Sequence, residues 1–187
     1  RLAELHTMTM TVRSRRGDAE LPEGLALRDA SDAELPGILD QTYVDTQDCP
    51  HLHGLRHTVD IVAGHRAGGQ VVPALWQTIV RDGQPVGCIL MTCDCGAVAD
   101  LAYIGLTPSA RGRGIAAAVL RFMLKRLLTC GIRTLRLAVD ATNAPATRLY
   151  RQLGFKKTQI QIAVIRPTRD LQVGAAHQQD VHKKSTS

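Results

Sequence analysis

Residues 100–128, D-L-A-Y-I-G-L-T-P-S-A-R-G-R-G-I-A-A-A-V-L-R-F-M-L-K-R-L-L, constrain the chain more than any other stretch. An apolar strand runs into Pro108, a turn carrying Gly112 and Gly114 follows, and a helix begins at once. Such a junction leaves the first backbone N–H groups of the helix without carbonyl partners, at the positive end of its dipole. It is therefore a cradle for a phosphate group. The helix predicted from Gly114 to Cys130 places Ile115, Val119, Met123 and Leu127 in one stripe, with Leu120, Leu124 and Leu128 beside it. That stripe needs a sheet to cover.

The chain has 187 residues, 44% of them hydrophobic, enough for one core and too few for two domains of ordinary size. Only 3% of residues are aromatic, so the core must be aliphatic, and Trp76, Tyr103, Phe122, Tyr150 and Phe155 stand out. No apolar run reaches the roughly 18 residues of a membrane span, and no apolar leader is evident, so a soluble, cytoplasmic protein is expected. The five cysteines (Cys49, Cys88, Cys93, Cys95, Cys130) fit neither a disulfide framework nor a paired zinc site, and are expected as free thiols. Cys49, His51, His53 and His57 could be imagined around a metal, but Gly54 breaks the helix that the His53/His57 spacing would need, and no metal is expected.

Charge divides the chain. Residues 1–100 carry 14 acidic and 8 basic side chains, whereas residues 101–169 carry 13 basic side chains and one acid, Asp140. A basic half around a phosphate turn suits a polyanionic ligand, and an acidic half suits a cationic one. Nucleic acid is not expected, because the basic half lacks the interleaved aromatics on which single strands stack. No membrane partner is expected either, and a homodimer is left open.

Residues 1–20 show no sustained period and read as a mobile arm. A short strand at Leu25–Arg28 precedes a helix over Asp32–Asp45, for which Ser31 and Glu34 form a capping box, with Pro36 awkward in its second turn. A second helix is predicted over Thr58–Ala67. Strands at Leu75–Arg81, Val86–Thr92 and Ala99–Leu106, joined by turns at Asp82-Gly83 and Asp94–Gly96, form an antiparallel run. After the long helix comes a strand at Leu135–Val139, parallel to Ala99–Leu106 through a right-handed crossover. A helix capped by Asn143 and closed by Gly154 follows, then a last strand at Phe155–Ile165. The domain is expected over residues 21–166, and residues 167–187 as a disordered tail.

No G-x-x-x-x-G-K-[S/T] is present, which excludes a mononucleotide loop. Gly112-x-Gly114-x-x-Ala117 fits the permissive dinucleotide fingerprint, and Asp140 would supply the distal acid of an NAD(P)-dependent oxidoreductase. Against this, Thr107–Arg111 separate strand from glycine, and three antiparallel strands precede the first parallel one.

R-G-R-G-I-A at 111–116 matches the R/Q-x-x-G-x-G/A coenzyme A motif of the GNAT acetyltransferase superfamily, and N-A-P-A-T-R-L-Y-R-Q-L-G-F at 143–155 resembles the family's next motif. The resemblance is strong over residues 98–160 and holds in outline over 22–165. D-C-P-x-L-x-G-x-R at 48–56 further resembles mycothiol-synthase-like members. The fold so implied is α/β (α+β): a mixed sheet of about six to seven strands with an antiparallel first half, strands splayed at the coenzyme A site, and about four helices.

The implied activity is acetyl transfer from acetyl-CoA, without a metal, to an amine of a small molecule or peptide. By resemblance, the strands part at Ile104, Gly105 and Leu106, where the pantetheine arm pairs, and an N–H near Leu106 polarises the thioester carbonyl. Arg111, Gly112, Arg113, Gly114, Ile115 and Ala116 surround the pyrophosphate, and Thr107 and Asn143 touch the cofactor. Tyr150 protonates the departing thiolate. The base is open among Asp100, which alternates onto one face with Ala102 and Ile104, Asp48 or a histidine of residues 48–57, Asp140 through water, and ordered water alone. A GNAT-fold sensor that binds acyl-CoA without turnover is the alternative.

Overall fold

In the computed structural model, residues 3–13, 20–48, 50, 57–94 and 96–163 are described. They form β1 (Ala3–Thr11), β2 (Leu25–Asp29), α1 (Leu35–Tyr43), α2 (Thr58–Ala67), β3 (Gln70–Arg81), β4 (Gln84–Cys93), β5 (Val98–Leu106), a 3-10 turn at Pro108–Ala110, α3 (Ile115–Thr129), β6 (Thr134–Asp140), α4 (Ala144–Leu153) and β7 (Lys156–Ala163). One seven-stranded sheet runs β2-β3-β4-β5-β6-β1-β7. Its first half is antiparallel, β5 and β6 are parallel, and β1 is antiparallel to both neighbours. The predicted mixed architecture is what the chain adopts.

The alternation of β4 sorts the two faces. Ile89 and Met91 point into one core with Leu120, Met123 and Leu127 of α3 and Tyr150 and Leu153 of α4. Cys88 and Leu90 point into another with Leu35, Ile38 and Leu39 of α1, joined by Trp76 and Tyr103. The sheet thus lies between two helical layers, and burying both faces in aliphatic side chains is the main stabilising term. No described helix is long and apolar enough to cross a membrane.

Two expectations are corrected. Residues 3–11 of the expected arm are a strand of the sheet, inserted between β6 and β7, with Met8 and Met10 buried against the α3 side. The T-M-T-M-T run is a period-two pattern whose methionines fill the core and whose threonines suit an extended backbone. The helix expected from Asp32 starts at Leu35. Glu34 does not close a capping box, because its carboxylate accepts from the two terminal guanidinium nitrogens of Arg28 at 2.7 and 3.0 Å. Pro36 then falls in the first turn, where its missing N–H costs nothing. The expected tail, residues 167–187, lies outside the described residues.

The splay follows from the ladders. On the β4 side β5 is paired to its end, Gly87 opposite Leu106. On the β6 side pairing stops at Leu101 opposite Leu137, although β5 continues to Leu106 and β6 to Asp140. A bulge coincides with this parting: Leu90 faces Tyr103 and Met91 faces Leu101, so Ala102 is the extra residue. Because one extra residue inverts the alternation, Leu101 joins the α3-side core while Tyr103 joins the α1-side core.

Candidate functional site

A cleft of about 600 Å³ opens where β5 and β6 part. β5 lines it with Ile104, Gly105 and Leu106, the phosphate turn with Arg111, Gly112 and Gly114, and α3 with Ile115 and Ala116. Asn143 and Tyr150 close it from α4, and Thr42, Asp45 and Asp48 from the end of α1. A cavity of about 70 Å³ continues into the wedge itself, between Ala102 and Ile104 of β5 and Ala138 and Val139 of β6, sharing Asp48, Tyr103, Asn143 and Tyr150 with the cleft.

The turn has the geometry a phosphate needs. Gly112 and Gly114 have φ of 71° and 75°, where a side chain would be strained, and Gly114 is the N-cap of α3. The first helical bond runs from the Ala118 N–H to the Gly114 carbonyl at 3.1 Å, and no side chain caps the terminus. The amides of Ile115, Ala116 and Ala117 therefore lack intrahelical carbonyls and sit on the positive end of the dipole. These residues fit a pyrophosphate, and the unpaired β5 edge beside them fits an extended amide-bearing arm.

Thr107 and Arg113 do not line this cleft. The Thr107 N–H donates to the Val86 carbonyl at 2.8 Å, and its hydroxyl meets that of Ser109 at 3.3 Å. Arg113 borders a neighbouring cavity of about 290 Å³ with Arg81 and Ser109. Arg111 is present in backbone and side chain, but its guanidinium serves carbonyls rather than open space: those of Leu106 at 3.1 Å, Asp45 at 2.9 Å, Thr42 at 2.9 Å and Val44 at 2.7 Å.

Tyr150 is 7% exposed, and its ring meets Phe155 edge-on at 5.6 Å. Burial, and then the charge of Asp48, push its phenol above the usual range, so it stays protonated. Asn143 caps α4, its side-chain oxygen accepting from the Ala146 N–H at 3.2 Å. Asp100 is not brought to the cleft. Its carboxylate is held by Arg136 in two hydrogen bonds of 2.6 and 2.7 Å, across the parallel pair Asp100–Arg136. The expected shared face with Ile104 fails because the Ala102 bulge lies between them.

Asp48 takes that place. It lines both cleft and wedge with Tyr150, and its carboxyl is pushed up from the ordinary range by burial and then by the negative charge of Asp140, against a backbone hydrogen bond from Asp140. Asp140 itself accepts from the Thr142 N–H and hydroxyl at 2.8 and 2.7 Å. Sequence reasoning missed Thr42 and Tyr103, whose hydroxyls meet at 2.8 Å under the cleft. The signal available was the aromatic in an aliphatic strand; its partner, 61 residues away, carried none. Among the described residues no cluster of three or more metal-ligating side chains exists, and Cys49, His51 and His53 lie outside them.

An uncapped helix terminus beside parted parallel strands suits a phosphate-bearing ligand with an extended arm, and the antiparallel β3-β4-β5 run overturns the dinucleotide fold weighed for residues 112–117. Residues 40–155 match the Acetyltransferase (GNAT) family, and the chain belongs to that family. It is 26% identical over 179 residues to a mycothiol acetyltransferase of Pseudarthrobacter chlorophenolicus, covering 85% of this chain and 51% of that protein. The chain thus spans about half the length of that relative, and less of others such as the mycothiol acetyltransferase of Parafrankia sp., where the match covers 23%. In fold it is similar to a GCN5-related N-acetyltransferase from Sphaerobacter thermophilus (TM-score 0.62, 23% identity, 85% of this chain and 50% of that one). It is also similar to a GNAT family acetyltransferase from Brucella melitensis in complex with acetyl-CoA (TM-score 0.54, 22% identity, 76% and 89%).

Proposed function

We propose that the chain is an acetyl-CoA-dependent N-acetyltransferase domain acting on the amine of a small cationic acceptor. The observation that carries this is the convergence on one cleft of the uncapped α3 terminus, the unpaired β5 edge, Tyr150 and Asp48. The donor supplies an activated acyl carbonyl. The amides of Ile115 to Ala117 would hold its pyrophosphate, and the backbone of Ile104 to Leu106 its pantetheine arm. An N–H near Leu106 would meet the carbonyl oxygen as negative charge develops there, a role worth about 2.7–4 kcal/mol where such a donor is removed in other enzymes.

Asp48 accepts the proton that the acceptor ammonium must lose. The C–N bond forms as the C–S bond breaks, the Tyr150 hydroxyl gives its proton to the leaving sulfur, and the second proton shed by the nitrogen restores that hydroxyl. An elevated carboxyl suits Asp48 to general-base work nearer neutral pH, and Asp45 beside it favours a cationic acceptor. The relatives named mycothiol acetyltransferase make a mycothiol-related amine one acceptor to include in a panel.

Free-thiol release from acetyl-CoA across amines of graded charge tests the reading: cationic amines should give release and anionic ones little. Acetyl-CoA that binds without release for any amine would support the non-catalytic sensor instead. Stabilisation against heat by NADH and not by acetyl-CoA would overturn the donor.

A further inference from the structure

Two tyrosines reach the site from opposite faces of the sheet. Tyr150 belongs to the core on the α3 side and Tyr103 to the core on the α1 side, and both line the cleft and the wedge. The proton of Tyr103 is already committed. Its hydroxyl oxygen lies 2.8 Å from that of Thr42, and the Thr42 hydroxyl, with one hydrogen to give, donates it to the Leu39 carbonyl at 2.8 Å, the back-bond a helical threonine commonly makes. The bond between the two hydroxyls therefore runs one way: Tyr103 donates and Thr42 accepts. Burial above all, against the hydrogen bond with Thr42, pushes the Tyr103 phenol above its usual range, so that proton stays in place. What the Tyr103 oxygen has left is acceptor capacity. It lies over Gly105 of β5, where a β-carbon would collide with it, and Gly105 lines the cleft.

We infer that Tyr103 holds the acceptor nitrogen, as a hydrogen-bond acceptor whose direction is set by Thr42. This inference rests on the reading that the cleft takes acetyl-CoA and an amine. An amine that enters from the α1 side, where Thr42, Asp45 and Asp48 line the cleft, meets an oxygen that can take an N–H and has no hydrogen to offer. A carbonyl or carboxylate oxygen in the same place would set lone pair against lone pair, so the site selects for a donor-bearing group. Once Asp48 has taken one proton from a primary ammonium, two N–H groups remain, one for Tyr103 and one to be shed after the C–N bond forms, and the nitrogen lone pair is free for the thioester carbonyl. The two tyrosines divide the work by the direction of their hydroxyls: Tyr150 gives its proton to sulfur, whereas Tyr103, donating to Thr42, receives. No bond is made or broken at Tyr103. It is a binding residue for the acceptor, and Thr42, which acts through it, is a positioning residue.

The test is a double-mutant cycle on the full chain, with the amine of the graded panel that releases thiol fastest as substrate: the wild type, Tyr103→Phe, Thr42→Val and the two combined, with Thr42→Ser as the conservative variant. Thermal melts and calorimetry of acetyl-CoA report on the fold and the donor side of each protein. Tyr103→Phe should raise the acceptor KM about tenfold or more, the scale of a hydrogen bond to a charged group, while acetyl-CoA affinity changes less than about threefold. Thr42→Val leaves the Tyr103 hydroxyl in place but frees its hydrogen to turn toward the cleft, so the KM should rise by a similar factor. Thr42→Ser keeps the relay to Leu39 and should stay within about threefold of the wild type. In the Tyr103→Phe background, Thr42→Val should change the KM less than about twofold, because no hydroxyl is left to orient. An unchanged KM in Tyr103→Phe, or KM effects of the two substitutions that multiply, overturns the inference. Where Tyr103→Phe does not fold, equal KM values for Thr42→Val and Thr42→Ser overturn it. A wild type that binds no acetyl-CoA, or releases thiol with no amine, overturns the reading of the cleft and this inference with it, and that failure shows in the wild type alone.

Discussion

Gly87 sits where β4 presses against the strand that carries the donor edge, and its replacement by alanine gives the sharpest structural prediction. A β-carbon at 87 would enter the envelope of the Gly105 carbonyl oxygen, with the carbonyl carbon 3.1 Å and Leu106 Cδ2 3.0 Å away. Carbon atoms rest at about 3.5–4.0 Å, so β4 and β5 must separate by about half an ångström or more. The obstacle is backbone, which cannot rotate aside as a side-chain tip can. Overpacking of this kind costs roughly 1–3 kcal/mol, and weakening the pairs Gly87–Leu106 and Cys88–Gly105 adds about 0.5–1.5 kcal/mol. At about 2–4 °C per kcal/mol for a chain of this size, Gly87→Ala should melt roughly 3–18 °C below the wild type. Gly37 in α1 and Gly64 in α2 are matched controls: a β-carbon there meets nothing within 4 Å. Alanine at either should raise stability by about 0.5–1 kcal/mol through helix propensity. The assay is thermal unfolding by circular dichroism on the three variants, with donor affinity by calorimetry. A Gly87→Ala protein that melts within about 1 °C of the wild type would refute the close approach of β4 to the donor edge.

Asp48→Asn should abolish most turnover while stabilising the fold at neutral pH. The carboxyl is raised in the folded state, so its ionised form opposes folding above that raised value. As pH falls through it the group binds a proton and the penalty is relieved, so the stability gain of the asparagine variant should shrink toward acid pH in paired melts. The same group predicts an acid limb in the wild-type kcat/KM profile above the ordinary carboxylate range, absent from the residual activity of the variant. Asp100→Asn should leave kcat and both KM values unchanged and cost no more than about 1 kcal/mol in a denaturant melt, because it breaks only a half-exposed pair with Arg136.

The parts of the fold that the sequence made legible are those governed by local chemistry. The α3 stripe, the Gly112 and Gly114 turn, the Asn143 cap and the Gly154 stop each report a backbone requirement within a few residues, and each is found at the position read from it. What stayed hidden was set by distant neighbours. β1 carries a period-two signal over residues 7–11 alone and is completed by β6 and β7 on its flanks, and Ala102 gives no local sign that it is a bulge. The bulge in turn decides that Asp100 and Ile104 face apart. Arg111 illustrates both cases: its place in the motif was readable, while the use of its guanidinium on carbonyls 66 to 69 residues earlier was not.

In the proposed reaction Tyr150, buried and held protonated at the meeting point of cleft and wedge, returns the proton to sulfur. Tyr150→Phe removes one oxygen and keeps the ring against Phe155. With the best amine of the panel, turnover should fall at least about tenfold while acetyl-CoA affinity stays nearly unchanged, the mark of an interaction made in the transition state. Turnover equal to that of the wild type would contradict the claim.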